Sequence, residues 1–562
     1  MSWGKRRIII IGAMVLVVIL GVWALMKPQR LGRRSVLVID ASGSIDDQRL
    51  PGILGALSGR TVPVLHDYLD AMDSARTDPR ITGLVVRIGP LDTGWAKIEE
   101  LRAHLLAFER SGKPSLCYLG YDGIGNPEYY LATACRRIWL VPTTPLGVTG
   151  MMAEALFLRG TLDKLKIIPE VYHIAEYKTA YNTYTEKKFT APHREEVNSI
   201  LEAVYSRYVT DAAAARGMET LAFEALVRRG PFTASEAAEA GLVDRLGYWD
   251  QVQDYFSSRG GWNPITLNRY RSYIGNPPGK VIAVVYATGE ITSGTSGTTS
   301  SGTTIMGGDS VARDLREARR NPAVAAIVLR VDSGGGSVVA SEVIRREVEL
   351  AMDQKPVVVS MSDLAASGGY WISAPAAKII AEPDTETGSI GVLAGKLNLA
   401  GLYNLLGLST DRVTTSENAT LFSDQQNFTP AQRAFIQKTL QQTYADFTRG
   451  VAAGRHLSLD AVEKIAKGRV WTGAQAKELG LVDELGGLDR AIGVAKQLAH
   501  IPASEPVHLL RLPRQKNLFE QLFEREADLM HSQTPSLDDA VRQATGVTDL
   551  VQARVPEVLR IR

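Results

Sequence analysis

The chain repeats itself. Gly241-Leu242-Val243-Asp244-Arg245-Leu246-Gly247 returns 239 residues later as Gly480-Leu481-Val482-Asp483-Glu484-Leu485-Gly486. The same offset pairs Arg216 with Arg455, Thr233 with Thr472, and Phe189-Thr190 with Phe428-Thr429. Upstream the register drifts as loop insertions would make it drift: Pro142 and Gly147 meet Pro383 and Gly388 at 241, and Asp78-Pro79 and Arg87 meet Asn321-Pro322 and Arg330 at 243. Strand-like Val36–Ile39 before Ser42-Gly43 answers Val281–Val285 before Thr288-Gly289. One match is chance; a colinear series is a tandem duplication, and a 562-residue chain is long enough for two cores of similar design.

Each copy alternates strand and helix signals. Short aliphatic runs at Gly83–Ile88, Ala325–Val331 and Pro356–Ser360 are bounded by Gly, Pro or charge, as buried strands are. Amphipathic stretches at Ser341–Met352 and Pro430–Ala453 have helical spacing. The alternation predicts an α/β fold with largely parallel sheet. The expected organisation is a leader and anchor over 1–34, a first repeat domain over 35–270, a second over 271–500, and a tail over 501–562 with no assigned role. The Gly/Ser/Thr-rich stretch Thr292–Ser310 reads as a mobile loop.

Two glycine-rich segments of the second copy carry the candidate chemistry. Arg330-Val331-Asp332-Ser333-Gly334-Gly335-Gly336-Ser337 follows one buried strand, and Ala365-Ala366-Ser367-Gly368-Gly369-Tyr370-Trp371 follows the next. A serine at a strand-to-helix turn exposes its hydroxyl, and the backbone N–H groups after it are unpaired. With N–H groups from a neighbouring glycine loop, these can hold the oxyanion of an acyl transfer. Either segment alone reads better as an ordinary tight turn, and a phosphate loop is disfavoured because no Gly-Lys-Ser/Thr follows.

Comparing the copies separates these readings. At offset 241 Ser367 falls on Asn126 and Gly368 on Pro127, and the triple glycine falls among Pro90-Leu91-Asp92-Thr93. None of the eight histidines lies near Ser367 in sequence; His456 is the nearest downstream. A lysine kept neutral by desolvation is the alternative base. Lys178, in Glu176-Tyr177-Lys178-Thr179-Ala180 after a strand-like Glu170–Ile174, pairs at 239 with Glu417. The copy with the serine lacks the lysine and the copy with the lysine lacks the serine. Residues needed only for folding would be wanted in both.

Composition excludes some classes. Net charge is +2 with no basic stripe interleaved with aromatics, so no nucleic-acid partner is expected. Cys117 and Cys135 are too few for a multi-cysteine zinc site and read as two buried free thiols rather than a bridge. Lys5, Arg6 and Arg7 precede an unbroken apolar run from Ile8 to Met26 with no small-x-small cleavage site, so residues 8–26 are expected to be an uncleaved transmembrane anchor in contact with lipid.

These residues together resemble the long, duplicated form of the signal peptide peptidase A (protease IV) family of Ser-Lys peptidases. The marks are Ala366-Ser367-Gly368-Gly369-Tyr370-Trp371, Thr387-Gly388-Ser389-Ile390-Gly391, Tyr177-Lys178 and the Gly-Leu-Val-Asp pair. The resemblance implies Ser367 as nucleophile, Lys178 as general base, Gly368 and Gly336 as oxyanion donors and Ser389 as the residue orienting the lysine, with no cofactor or metal. It also implies a Clp-protease/crotonase-like ββα spiral in each copy and a homotetramer on the outer, periplasmic side of a bacterial inner membrane. The implied substrates are released signal peptides and other short unfolded peptides. Two departures stand out. The family loop Asn-Ser-Pro-Gly-Gly is here Asp332-Ser333-Gly334-Gly335-Gly336, which adds a charge near the site, and Tyr181-Asn182-Thr183-Tyr184 replaces the family's Glu-Pro-Phe. The competing readings are a crotonase-like acyl-CoA enzyme and a non-catalytic membrane scaffold of the same fold.

Overall fold

The aliphatic runs become the inner strands of two parallel sheets, where burial on both faces demands continuous apolar sequence. The computed structural model describes residues 31–48, 62–299, 303–514, 551–554 and 560–561. The first sheet runs in the order Arg245–Leu246, Ile138–Leu140, Ser115–Leu119, Ile81–Leu91, Ser35–Gly43, Pro264–Thr266, every neighbouring pair parallel. The second follows the same path with Glu484–Leu485, Lys378–Ala381, Val357–Ala366, Val324–Ser333, Lys280–Thr288 and Val507–Leu512, also parallel. Val507–Leu512 takes the edge seat that Pro264–Thr266 takes in the first sheet. The second copy therefore reaches past residue 500, where the sequence repeat fades.

The repeated motifs are repeated hydrogen bonds. Tyr129 donates to the Leu242 carbonyl at 2.9 Å, and Tyr370 donates to that of Leu481 at 2.8 Å. Asp244 accepts the Ile138 N–H at 2.7 Å and Asp483 that of Ile379 at 2.8 Å, with Arg216 and Arg455 paired to the two aspartates. The Gly-Leu-Val-Asp motif thus latches a carboxylate onto the start of a buried strand. Phe-Thr marks the entry to the long helices Ala191–Arg216 and Pro430–Arg455, 26 residues each. Thr190 and Thr429 cap them by accepting the N–H groups of His193 and Gln432, and a proline sits in each first turn.

A third sheet joins the copies. Its order is Gly297–Thr298, Thr304–Gly307, Glu290–Thr292, Gly335–Ser337, Val551–Arg554, Leu393–Asn398, Ile168–His173. The last pairing is antiparallel, from His173 opposite Leu393 to Ile168 opposite Asn398, and it carries a first-copy strand into the second copy. Val551–Arg554 lies antiparallel to both of its neighbours, with Ala553 opposite Gly336 and Gln552 opposite Leu393.

Two expectations are corrected. Cys117 and Cys135 form a disulfide: the strand Ser115–Leu119 and the turn after the helix Asn126–Ala132 bring their Cα atoms to 5.7 Å, within bridging reach. The stretch Thr292–Ser310 is not one open loop. Gly297–Thr298 and Thr304–Gly307 pair antiparallel, Met306 is buried, and Ser310 already belongs to the helix Gly308–Arg320. Backbone pairing at a sheet edge needs no apolar run, so composition hid it. The expected anchor over 8–26 lies outside the described residues, and among the described residues no helix is long and apolar enough to cross a membrane.

Candidate active site

Ser367 stands between the strand Val357–Ala366 and the short helix Gly368–Ser373. Its backbone is held at φ 55° and ψ −114°, a conformation that a non-glycine residue adopts only where its surroundings enforce it. The enforcement is local: its N–H donates to the Gly388 carbonyl at 2.8 Å, and the Thr387 hydroxyl donates to the Ala365 carbonyl at 2.8 Å. The Thr387–Gly391 motif therefore fixes the turn that bears the serine.

Lys178 arrives from the other copy. The strand Ile168–His173 leads into it, and just before it the Tyr177 N–H donates to the Lys467 carbonyl at 3.1 Å. Its Nζ lies 2.6 Å from Ser367 Oγ and 3.1 Å from both the carbonyl and the hydroxyl oxygen of Ser389. Lys178 is 2% exposed, and Ser367 and Ser389 are fully buried. Burial pushes the Lys178 ammonium down to about 7, against the opposing pull of Glu196. A neutral amine has two N–H bonds and one lone pair. With both N–H bonds directed to Ser389, the lone pair remains for the Ser367 hydroxyl. Gly391 makes room for this: a Cβ there would come within 2.9 Å of Gly468 Cα and 3.2 Å of Lys178 Cδ.

The proposed oxyanion donors are Gly368, the residue after the serine, and Gly336 in the glycine loop. Gly368 opens its helix, so its N–H has no partner within it. Gly336 pairs with Ile291 at φ 149°, and a Cβ there would lie 2.1 Å from the Ile291 carbonyl oxygen. Gly369 brings the helix against the loop, since a Cβ there would lie 2.5 Å from the Ser333 carbonyl oxygen. Among the described residues no histidine hydrogen-bonds either Ser367 or Lys178. In the first copy, Asn126 accepts the Thr149 N–H at 3.0 Å, and Glu417 of the second copy is exposed, so the two vacated positions have ordinary structural roles.

Sequence reasoning missed several neighbours. Glu196, on the first-copy helix Ala191–Arg216, accepts the Val470 N–H at 2.5 Å, and burial pushes its carboxyl up to about 8. Lys97, also from the first copy, lies 2.7 Å from Asp332, so the extra charge of the glycine loop is paired rather than isolated. Neither residue sits in a repeated motif. The only available signal was the unusual Asp332, which called for a cation whose position sequence cannot give.

Two copies that bring a buried serine beside a desolvated lysine have the arrangement expected of a serine hydrolase built by duplication. The sequence matches peptidase family S49 over residues 107–259 and 349–502, one match in each copy. It is 32% identical over 543 residues to the chloroplastic serine protease SPPA of Arabidopsis thaliana, covering 94% of this chain and 79% of that one. It is 35% identical over 500 residues to protease 4 of Salmonella typhi (83% and 79%), and 32% over 505 residues to protease 4 of Haemophilus influenzae (84% and 80%). A solved ClpP1 mutant from Listeria monocytogenes aligns with 37% of this chain and 94% of its own at 17% identity, with a TM-score of 0.25 that is too low to define a shared fold. The chain belongs to peptidase family S49 and is a serine peptidase.

Proposed function

We propose that the chain is a membrane-anchored endopeptidase that works through a Ser367–Lys178 dyad and degrades released signal peptides and other short unfolded peptides. The observation that carries this reading is the 2.6 Å approach of Lys178 Nζ to Ser367 Oγ, with both side chains buried. Neutral Lys178 accepts the Ser367 hydroxyl proton as Oγ attacks the peptide carbonyl carbon. The N–H groups of Gly368 and Gly336 hold the oxyanion. The C–N bond then breaks, Lys178 gives its proton to the leaving amine, and the acyl group remains as an ester on Ser367. Water, deprotonated by Lys178, cleaves the ester to a carboxylate and restores the serine.

Extended peptide is the substrate form this reading assigns. The Val551–Arg554 strand between Gly335–Ser337 and Leu393–Ala394 supports this, because its seat would receive another backbone by the same strand pairing. Placement on the oxidising outer face of a bacterial inner membrane, through the apolar run 8–26, is supported by the Cys117–Cys135 bridge, since disulfides persist in such compartments. A Clp-like spiral in each copy and a homotetramer complete the reading. A fluorophosphonate probe tests the chemistry. It should label Ser367 in the native protein and leave Ser367→Ala unlabelled; an unlabelled native protein would return the site to the crotonase-like class, which has no activated serine. Extraction of the full chain from membranes by high salt alone would remove the anchor from the reading.

A further inference from the structure

One first-copy cation bridges the ends of the two paired strands, Val324–Ser333 and Val357–Ala366, that lead into the glycine loop and the Ser367 turn. Lys97 belongs to the helix Trp95–Glu109, and its side chain is only 8% exposed. Its Nζ lies 2.7 Å from Asp332, 3.2 Å from Asp363 and 3.5 Å from Asp47. Asp332 immediately precedes the glycine loop; its carboxylate accepts the Leu364 N–H at 3.2 Å, and its carbonyl accepts the Gly289 N–H at 2.9 Å. Asp363 lies on the strand Val357–Ala366 that leads into Ser367, and its carboxylate accepts the N–H groups of Gly94 and Lys97 at 3.2 and 2.9 Å. The helix that carries Lys97 is thereby fastened end-on to the nucleophile strand.

The charges around Lys97 show what it opposes. Asp332 is pushed up to about 6 by burial, with Asp47 and Asp363 adding to the shift and Lys97 opposing it. Burial also works against ionisation of Asp47, but Arg330 and Lys97 outweigh it and hold that carboxyl down to about 2. Arg330 is committed elsewhere, to Asp47 at 2.8 Å and Glu100 at 2.7 Å. Without Lys97, Asp332 and Asp363 would sit together at the register shift between the paired strands Val324–Ser333 and Val357–Ala366 with no Lys97 ammonium between them. Like charges brought together in a buried setting move apart or take up a proton.

We infer that Lys97 is a positioning residue for the peptidase: it sets the separation between the Gly336 loop and the Ser367 turn, and so the fit of the oxyanion. The second-copy site then depends on two first-copy lysines, Lys178 for proton transfer and Lys97 for geometry. Asp332, the departure from the family's asparagine, is the partner that makes Lys97 necessary. Because oxyanion contacts act mainly in the transition state, their loss lowers kcat more than it raises KM.

The test is a double-mutant cycle in the full-length protein, with kcat and KM on a fluorogenic peptide and the fold followed by circular dichroism and thermal melting. The inference rests on the dyad reading, which Ser367→Ala tests in the same assay: if that variant stays active the reading itself fails, whatever Lys97 does. With that control inactive, Lys97→Met should lower kcat by about tenfold or more with KM changed by about twofold at most. Lys97→Met/Asp332→Asn, which removes the cation and one anion together, should recover most of the lost kcat. A folded Lys97→Met with kcat within about twofold of native overturns the inference, and so does a folded double variant no faster than Lys97→Met. Should Lys97→Met fail to fold, the double variant decides: folded with kcat within about tenfold of native supports positioning, and folded but slower overturns it. If neither folds, Lys97 serves stability alone and the inference falls.

Discussion

Lys178 Nζ lies 2.6 Å from Ser367 Oγ although the two residues are 189 positions apart and belong to different copies of a duplicated fold. The pairing of Ile168–His173 with Leu393–Asn398 delivers the lysine, so both groups come from one chain.

That origin makes a clear prediction. Ser367→Ala and Lys178→Ala should each lower kcat/KM by roughly a thousandfold or more, since the pair acts as one unit. Asn126→Ala and Glu417→Gln, at the vacated positions, should keep most activity. Mixing the two inactive variants during refolding, with mixed oligomers verified, should restore nothing. Recovered turnover in the mixture would mean that lysine and serine meet between chains.

The pH profile follows from burial of the lysine. A general base must be deprotonated, and Lys178 is pushed down to about 7, so kcat/KM should rise through about pH 7 and level off above it. Stability carries the same signature. The folded pKa lies below the unfolded value, so between them the unfolded chain binds more protons and native stability rises with pH. Lys178→Met should therefore melt higher than the native protein, by a margin that widens as pH is lowered from the unfolded lysine value of about 10.4 toward 7 and is constant below. A pH-independent margin would show that Lys178 is not desolvated in solution.

Gly391 offers a steric test that leaves both dyad residues in place. A Cβ would press on Gly468 and on the Lys178 stem, so Gly391→Ala should reduce kcat by about tenfold or more while the protein remains folded, as a small misplacement of a reacting group does. Normal kcat in that variant would mean the lysine tolerates displacement.

Val551–Arg554 occupies the seat beside Gly335–Ser337 and Leu393–Ala394. A chain ending at Arg514 leaves those strand edges open, and its KM for an extended peptide should fall with kcat unchanged. Equal KM values for the long and short chains would indicate that substrate enters along other edges.

Much of this arrangement was legible in the residues. The duplication, the inner strands and the long helices follow from motif spacing and periodicity, and Phe-Thr and Gly-Leu-Val-Asp proved to be a helix cap and a strand latch. Ser367 and Lys178 stood out because the copies differ there in opposite senses, whereas Ser389 was named only through the family resemblance. What escaped the reading depends on distance through space. The Cys117–Cys135 bridge, the hairpin within Thr292–Ser310 and the edge strand Val507–Leu512 leave no periodic trace. Asp332 read as a stray charge because its partner Lys97 lies 235 positions earlier, and nothing local to either residue points to the other.

The strand that carries Lys178 across to the second copy also bears on how the molecule is made. Synthesis proceeds from the N-terminus, so Lys178, the proposed base, is made 189 residues before Ser367. Until Leu393–Asn398 has been translated, the strand leading to Lys178 has no partner to hold it beside a serine. On the proposed dyad reading, a chain that has not yet reached Leu393–Asn398 would lack the assembled site and could not attack itself or its neighbours while they are still unfolded. On that reading activity would begin only once the shared sheet has closed, which needs strands from both copies.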